Sequence, residues 1–222
     1  MIKGLFFDLD GVLIDSEYWH QQLNAKCLKE LNCTDIDPRA FYALIGSGKG
    51  IDAWEMIYQR IPEKYRQMNF KETFRDYKSK QFDYPPFSEI IFPEVSNVLQ
   101  ELKKEGYQLA CCSSSKEDYI QKALEECKIS HLFDLVISGH DFALSKPNPE
   151  IYLTAMTKLG LDNRQCAVIE DSSYGIEAGK NAKMVVIARK DRHFGLDQSK
   201  ADYIIDDLAK IKDVMKKLGG NE

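Results

Sequence analysis

The stretch Asp8-Leu9-Asp10-Gly11-Val12-Leu13-Ile14-Asp15 follows an apolar run from Ile2 through Phe7 and reads as the mouth of a buried strand. Side chains alternate faces in extended chain, so Asp8 and Asp10 project to one side and bring two carboxylates into one small volume. Such a pair needs a cation or a shared proton. Gly11 lets the chain turn sharply just past the acids, as a strand-to-loop exit above a site requires. A lone D-x-D also occurs where a strand end is simply solvated. A calcium loop begins the same way, but it needs an oxygen ligand at Val12, a glycine at Leu13 and a carboxylate at Trp19, and fails at each.

Downstream the pattern is helical. Ser16 is a good N-cap, and Trp19, Leu23, Cys27 and Leu31 recur at four-residue steps through a helix ending near Asn32. Phe41 to Ile45 is a short helical piece, and Ile51, Trp54, Ile57 and Ile61 form an apolar stripe. Pro62 opens a further helix predicted to reach about Phe82. Residues 16–84 contain no strand pattern. The prolines of Tyr84-Pro85-Pro86-Phe87 interrupt the helical pattern, and the character of the chain changes there.

Beyond that point helix and strand alternate. A helix from Val95 is closed by Gly106, and strands are predicted at 107–112, 134–138, 166–170, 184–188 and 202–205. Helices fall at 117–127, 149–159 and 173–182, with a last one through Leu208, Ile211, Met215 and Leu218. Alternation of this kind predicts the α/β class, a Rossmann-like, mainly parallel sheet with helices on both faces. Residues 1–15 and 85–222 form that core, and 16–84 form a small all-helical cap inserted after the first strand. In open parallel sheets ligands bind beyond the carboxyl ends of the strands.

The 222 residues suffice for one large domain or a domain with an insertion. A composition 44% hydrophobic and 29% charged is that of a globular protein, and no stretch is apolar enough to span a membrane. The N-terminus runs into the first strand without a signal core, so a cytoplasmic location is expected, and a monomer. The six cysteines show no CxxC or zinc-like spacing and read as reduced packing residues, Cys111 and Cys112 on opposite faces of one strand. A net charge of -5 argues against a general nucleic-acid surface.

Three further strand ends carry polar residues. Ser113-Ser114-Ser115 is either an N-cap and turn or, beside Asp8, a hydroxyl and free backbone amides for phosphate oxygens. In Lys146-Pro147-Asn148-Pro149, Pro147 favours an extended Lys146, while Asn148 and Pro149 suit the N-cap and first position of the next helix. A cation before a helix N-terminus gains nothing from the dipole, so a partner anion explains Lys146 better than a surface position does. The strand from Cys166 to Ile169 ends in Glu170-Asp171, and Gly175, Ala178 and Gly179 beyond it predict a helix packed closely on the sheet, holding the acids in place.

D-x-D-G, a serine, a lysine and E-D, in that order and each at a strand end, resemble the four motifs of the haloacid dehalogenase superfamily. The match runs over almost the whole chain, and the helical insertion after the first motif resembles that family's small cap. The resemblance implies a magnesium-dependent phosphoryl-transfer enzyme acting on a small phosphorylated metabolite. It implies that Asp8 is the nucleophile and that Asp10 protonates the leaving oxygen and activates the incoming one. Ser113 and Lys146 are similar to the phosphate-binding pair, with Gly11 and Ser114 adjoining the substrate. Asp171 is similar to a magnesium ligand beside Asp8 and the Asp10 carbonyl, and Glu170 to one acting through water.

Within the superfamily the chain resembles beta-phosphoglucomutase and the sugar-phosphate phosphatases. His20 falls where the mutase has a histidine that helps Asp10 couple to cap closure; it equally suits a packed or solvated helix position. Leu44-Ile45-Gly46-Ser47-Gly48-Lys49-Gly50 matches the substrate-specificity loop, so Gly46, Ser47 and Lys49 are candidate substrate contacts, though a turn between helices would look the same. The mutase has a lysine where this chain has Ile45 and an arginine where it has Lys49. Lysine lacks arginine's paired hydrogen bonds to phosphate, so a clamp for a second phosphate is weakened and hydrolysis is expected over mutase transfer. A binding protein without chemistry is the third possibility, disfavoured because every catalytic position holds a competent residue.

Overall fold

Gly4–Phe7 form strand β1, and all four residues are buried. Leu5 and Phe7 join one hydrophobic layer and Phe6 the other, the alternation expected of a strand covered on both faces. The computed structural model describes residues 1–81 and 85–219. Its sheet is completed by β2 (Gln108–Ser113), β3 (Leu135–Ser138), β4 (Cys166–Glu170), β5 (Val185–Arg189) and β6 (Tyr203–Ile205). The strand order is β3-β2-β1-β4-β5-β6, with every neighbouring pair parallel. Each strand lies within about two residues of its predicted place, the ordinary scatter of element ends.

The register positions the site. Phe7 stands opposite Cys111 on β2 and Ile169 on β4, so one residue further on Asp8 is level with Cys112 and Glu170. The strand order reverses beside β1, and such switch points are where open α/β sheets bind ligands.

The inserted subdomain contains α1 (Ser16–Glu30), a 3₁₀ segment Pro38–Leu44, α2 (Ala53–Tyr58), α3 (Lys64–Gln67) and α4 (Phe70–Gln81). Phe41, Ile57, Phe74 and Cys27 lie in its own buried cluster. The single helix expected from Pro62 is two, because Asn69 adopts φ +53°, a left-handed conformation that asparagine tolerates and a continuing helix does not. The predicted end near Phe82 and the Tyr84 side of the boundary lie outside the described residues. Ser16 is not the cap of α1 but its first residue. Asp15 holds the cap position without a side-chain cap bond, and the Ser16 hydroxyl turns into the site instead.

The core helices are α5 (Phe87–Ile90), α6 (Val95–Lys104), α7 (Glu117–Glu126), α8 (Glu150–Lys158), α9 (Ser173–Asn181) and α10 (Ile211–Gly219). Residues of α5, α6, α7 and α10 pack on the Leu5/Phe7 face, those of α8 and α9 on the Phe6 face. Helix α8 begins one residue later than predicted, with Pro149 in the cap position and the Asn148 side chain accepting from the Glu150 N–H at 2.9 Å. The six cysteines are unpaired and buried, Cys111 and Cys112 in opposite layers. Among the described residues no helix is long and apolar enough to cross a membrane.

Candidate active site

Asp8 continues β1 by one residue, its N–H donating to the Ile169 carbonyl at 2.9 Å. The chain then folds back on itself, with Leu13 N–H to Leu9 O at 2.9 Å and Gly11 N–H to Ile14 O at 2.8 Å. Gly11 is required twice: its φ is +77°, and a Cβ there would lie 2.1 Å from Asp171 Oδ2. It packs against Asp171 and serves the site as spacing.

Behind Asp8 lies an ion cluster. The Lys146 ammonium, only 4% exposed, donates to Asp8 Oδ1 at 2.7 Å, Glu170 Oε1 at 2.6 Å and the Cys112 carbonyl at 3.0 Å, which engages all three of its protons. Glu170 is fully buried, and Oε1 also accepts from the Tyr152 hydroxyl at 2.8 Å. Its Oε2 accepts from Asp171 N–H, Ser172 N–H and the Ser172 hydroxyl at 3.1, 3.3 and 3.1 Å. Glycine makes this possible, since a Cβ on Gly175 would stand 1.8 Å from Glu170 Oε1 and one on Gly179 2.7 Å from Val186. The close helix packing expected from the small residues of α9 is therefore what seats the acid.

Asp10 is held by three hydroxyls. Ser16 and Tyr119 donate to Oδ1 at 2.6 and 2.9 Å, and Ser115 to Oδ2 at 2.9 Å. Ser115 N–H donates to the Ser113 Oγ at 3.1 Å, which leaves the Ser113 hydroxyl proton to donate elsewhere. Tyr119 and Tyr152 are not evident in the sequence, and Ser115, noted there within the serine cluster, binds Asp10 instead of a phosphate. Ser115 had a signal, its spacing of two from Ser113; the tyrosines sit within helices and acquire partners only when α7 and α8 pack.

These groups line a cavity of about 130 Å³, with Asp8, Asp10, Ser113, Ser114, Lys146 and Asp171 on the core side. Glu17, Leu44, Gly46 and Ser47 close it from the inserted helices. Ordinary ligand sites occupy roughly 300–1,000 Å³, so this space suits a phosphoryl group and little more. Lys49 lies outside it. Its ammonium is exposed, 3.4 Å from the Phe142 carbonyl, while its backbone exchanges two hydrogen bonds with Ser145: Lys49 N–H to Oγ at 2.8 Å and Ser145 N–H to Lys49 O at 3.1 Å. His20 lines a second cavity among the inserted helices, where burial and the Lys78 charge push its imidazole down to about 3.

The cavity is rich in negative charge. Burial, against the pull of Lys146 and helped by Glu170 and Asp10, pushes the Asp8 carboxyl up to about 8. Burial, then the charges of Asp10 and Asp8, pushes Glu17 to about 8, and Asp171 is raised by burial and Glu170. Asp8, Glu170 and Asp171 offer oxygens within 4.8 Å of one another. An all-carboxylate set without His or Cys fits a hard divalent cation. Because both Glu170 oxygens are engaged, Asp8 and Asp171 are the side chains with oxygens to offer, and Glu170 adds its charge.

A parallel sheet whose switch-point carboxyl edge carries an aspartate cluster and a buried lysine, roofed by inserted helices, is that of a capped Rossmann-like α/β enzyme. The chain belongs to the haloacid dehalogenase-like hydrolases, whose family model matches residues 5–189. It is 30% identical over 181 residues to a phosphoglycolate phosphatase of Aquifex aeolicus, covering 82% of this chain and 81% of that one. It is likewise 30% identical over 190 residues to a pyrophosphatase of Bacillus velezensis, covering 82% and 80%. In fold it is similar to a beta-phosphoglucomutase of Clostridium difficile, with a TM-score of 0.73 at 24% identity, covering 99% and 98%.

Proposed function

We propose that the protein is a magnesium-dependent phosphatase that hydrolyses a small phosphorylated metabolite, a sugar phosphate in the simplest case, through an aspartyl-phosphate on Asp8. The observation that carries this is the clamping of Asp8 Oδ1 by Lys146 inside a cavity of phosphoryl size. That clamp leaves Oδ2 as the attacking oxygen. It bonds to phosphorus as the bond to the leaving oxygen breaks, and Asp10 gives that oxygen a proton. In the second step Asp10 takes a proton from water, whose oxygen attacks phosphorus and frees Asp8. Ser113 and Ser114 hold the phosphate oxygens, and Lys146 offsets the repulsion between carboxylate and phosphate. Asp8, Asp171 and the Asp10 carbonyl would hold a magnesium ion, which would supply further neutralisation of that charge when bound.

In this reading residues 16–84 are the cap and residues 1–15 and 85–222 the catalytic core. Hydrolysis is favoured over mutase transfer by two relatives that hydrolyse phosphate compounds and by Lys49 standing outside the cavity. Mutase transfer is the second reading, prompted by the likeness to beta-phosphoglucomutase over nearly the whole chain. Phosphorus NMR with magnesium, beta-glucose 1-phosphate and a trace of glucose 1,6-bisphosphate separates the two. Free phosphate marks the phosphatase and glucose 6-phosphate without it marks the mutase. Silence on this and on a panel of metabolite phosphates would overturn both.

A further inference from the structure

The phosphoryl cavity has no room for the alcohol that the phosphate leaves behind. Next to it, between α1 and α4, lies the second cavity, about 470 Å³ and within the range of ordinary ligand sites. Leu44 lines both. Glu17 of the first cavity also feels the charge of Lys78 in the second. The two spaces are therefore adjacent, with Leu44 as their common wall.

Its walls have a definite chemistry. Trp19, Trp54, Phe74 and Leu44 give an aromatic and aliphatic surface. Trp54 is held by ring contacts to Phe41, Phe70, Phe74 and Tyr58, with centroids 5.8, 6.3, 6.1 and 6.0 Å away, so this surface is rigid. Lys78, partly buried on the same wall, reaches only neutral acceptors: Asn24 Oδ1 at 2.7 Å and His20 Nδ1 at 3.5 Å. Among the described residues no carboxylate lies within 4.0 Å of its ammonium, whose burial holds it below the usual lysine range. A plain polyol would leave the aromatic surface uncovered, whereas a ring buries it, at roughly 25 cal/mol per Å². A lysine with a spare proton in partly apolar surroundings prefers an electron-rich partner.

We infer that this cavity receives the leaving group, and that the substrate class is a phosphate monoester whose alcohol carries a flat aromatic ring edged with carbonyl or carboxylate oxygen, such as a pyrimidine nucleoside monophosphate. The inference rests on the phosphatase reading for its chemistry and on the cavity for its specificity. The ring lies against Trp19 and Trp54, and its oxygen edge meets Lys78.

The test compares ribose 5-phosphate with uridine monophosphate, which share the phosphoester linkage and differ by the ring. The nucleotide is expected to have a kcat/KM at least about tenfold higher, carried by KM. In Trp54→Ala, and in Ser79→Trp, which fills the cavity from an exposed rim position without removing any side chain of the aromatic cluster, that ratio falls to about one. Lys78→Met lowers it as well. Equal kcat/KM for the two compounds, or a preference that survives Ser79→Trp, overturns the inference. If neither compound releases phosphate the chemistry has failed separately, and calorimetric titration of both with magnesium decides the cavity. Nucleotide binding that Ser79→Trp abolishes supports it; no nucleotide binding, or equal affinity for the two compounds, overturns it.

Discussion

Asp8 and Glu170 are bridged by one ammonium, that of Lys146, at 2.7 and 2.6 Å. Each acid is buried, and neither has another cation within 4.0 Å among the described residues. Removing the shared partner, as in Lys146→Ala, leaves buried anions uncompensated, which is expected to cost about 3–5 kcal/mol and all turnover. Magnesium should return part of that stability, since a cation bound only by the folded state stabilises it by about 2.7 kcal/mol at a hundredfold excess over Kd. Urea unfolding of parent and variant, with magnesium and with chelator, measures both. A variant as stable as the parent would show that the cluster is not an energetic unit.

Asp10→Asn removes the proposed proton carrier and keeps the shape of the hydroxyl cage. Turnover is expected to fall by ~10² to 10⁴ with the melting temperature little changed. Tyr119→Phe takes away one of the three donors and is expected to cost stability of only about 0.5–1.5 kcal/mol. Steady-state phosphate release from the two variants tells a proton carrier from a structural anion, because a structural anion would give the two similar rates.

Gly175→Ala puts a methyl group where Glu170 Oε1 now stands, 1.8 Å from the ideal Cβ position. Helix α9 cannot rotate away freely, because Gly179 already brings it against Val186. Overpacking of this kind costs about 1–3 kcal/mol, and Glu170 should shift off Lys146, so activity falls along with stability. Thermal unfolding checks the first effect and kcat the second. An unchanged melting temperature would mean that α9 has slack the packing does not suggest.

Outside the phosphoryl cavity, Arg189 donates to Glu94 at 2.6 Å, and Leu208 N–H donates to the same carboxylate oxygen at 3.3 Å. Burial works to raise the Glu94 pKa, yet the hydrogen bond and charge of Arg189 win, and it lies below the ordinary value of 4.5. A depressed folded value means stability that is present above the unfolded value and lost as pH falls through the folded one. Glu94→Gln is therefore expected to cost about 1.5–3 kcal/mol at neutral pH, a charged hydrogen bond's worth, and nothing at pH below the folded value. Denaturation of both proteins across that range is the check; a difference independent of pH would assign the effect to packing.

Much of this was legible in the sequence because parallel strands leave simple traces. Gly4–Phe7 before Asp8 carry no polar side chain, as a strand buried on both faces must not, and three of the four polar motifs close a strand, while Lys146 lies past the end of β3 in the loop before α8. One register then gathers Asp8, Ser113, Glu170 and Asp171 at a single sheet edge. What stayed hidden depends on local torsions or on docking. Asn69 breaks a helix through a single left-handed φ that no periodicity announces. Ser16 has the residue type of a cap and the position of a ligand to Asp10. Lys49 has the charge of a phosphate clamp, but its loop faces the ammonium toward Phe142.

The two hydrogen bonds between Ser145 and Lys49 fasten the inserted loop one peptide bond from the lysine that holds Asp8. Each such bond is worth about 0.5–1.5 kcal/mol net, so this seam should part and reseal continually under thermal agitation. Entry and exit of small molecules and the posture of Lys146 would then beat to one rhythm. Ser145→Ala should quicken product escape, raising kcat if departure limits the cycle, and a slower variant would mean that the seam's chief service is to keep the lysine in place.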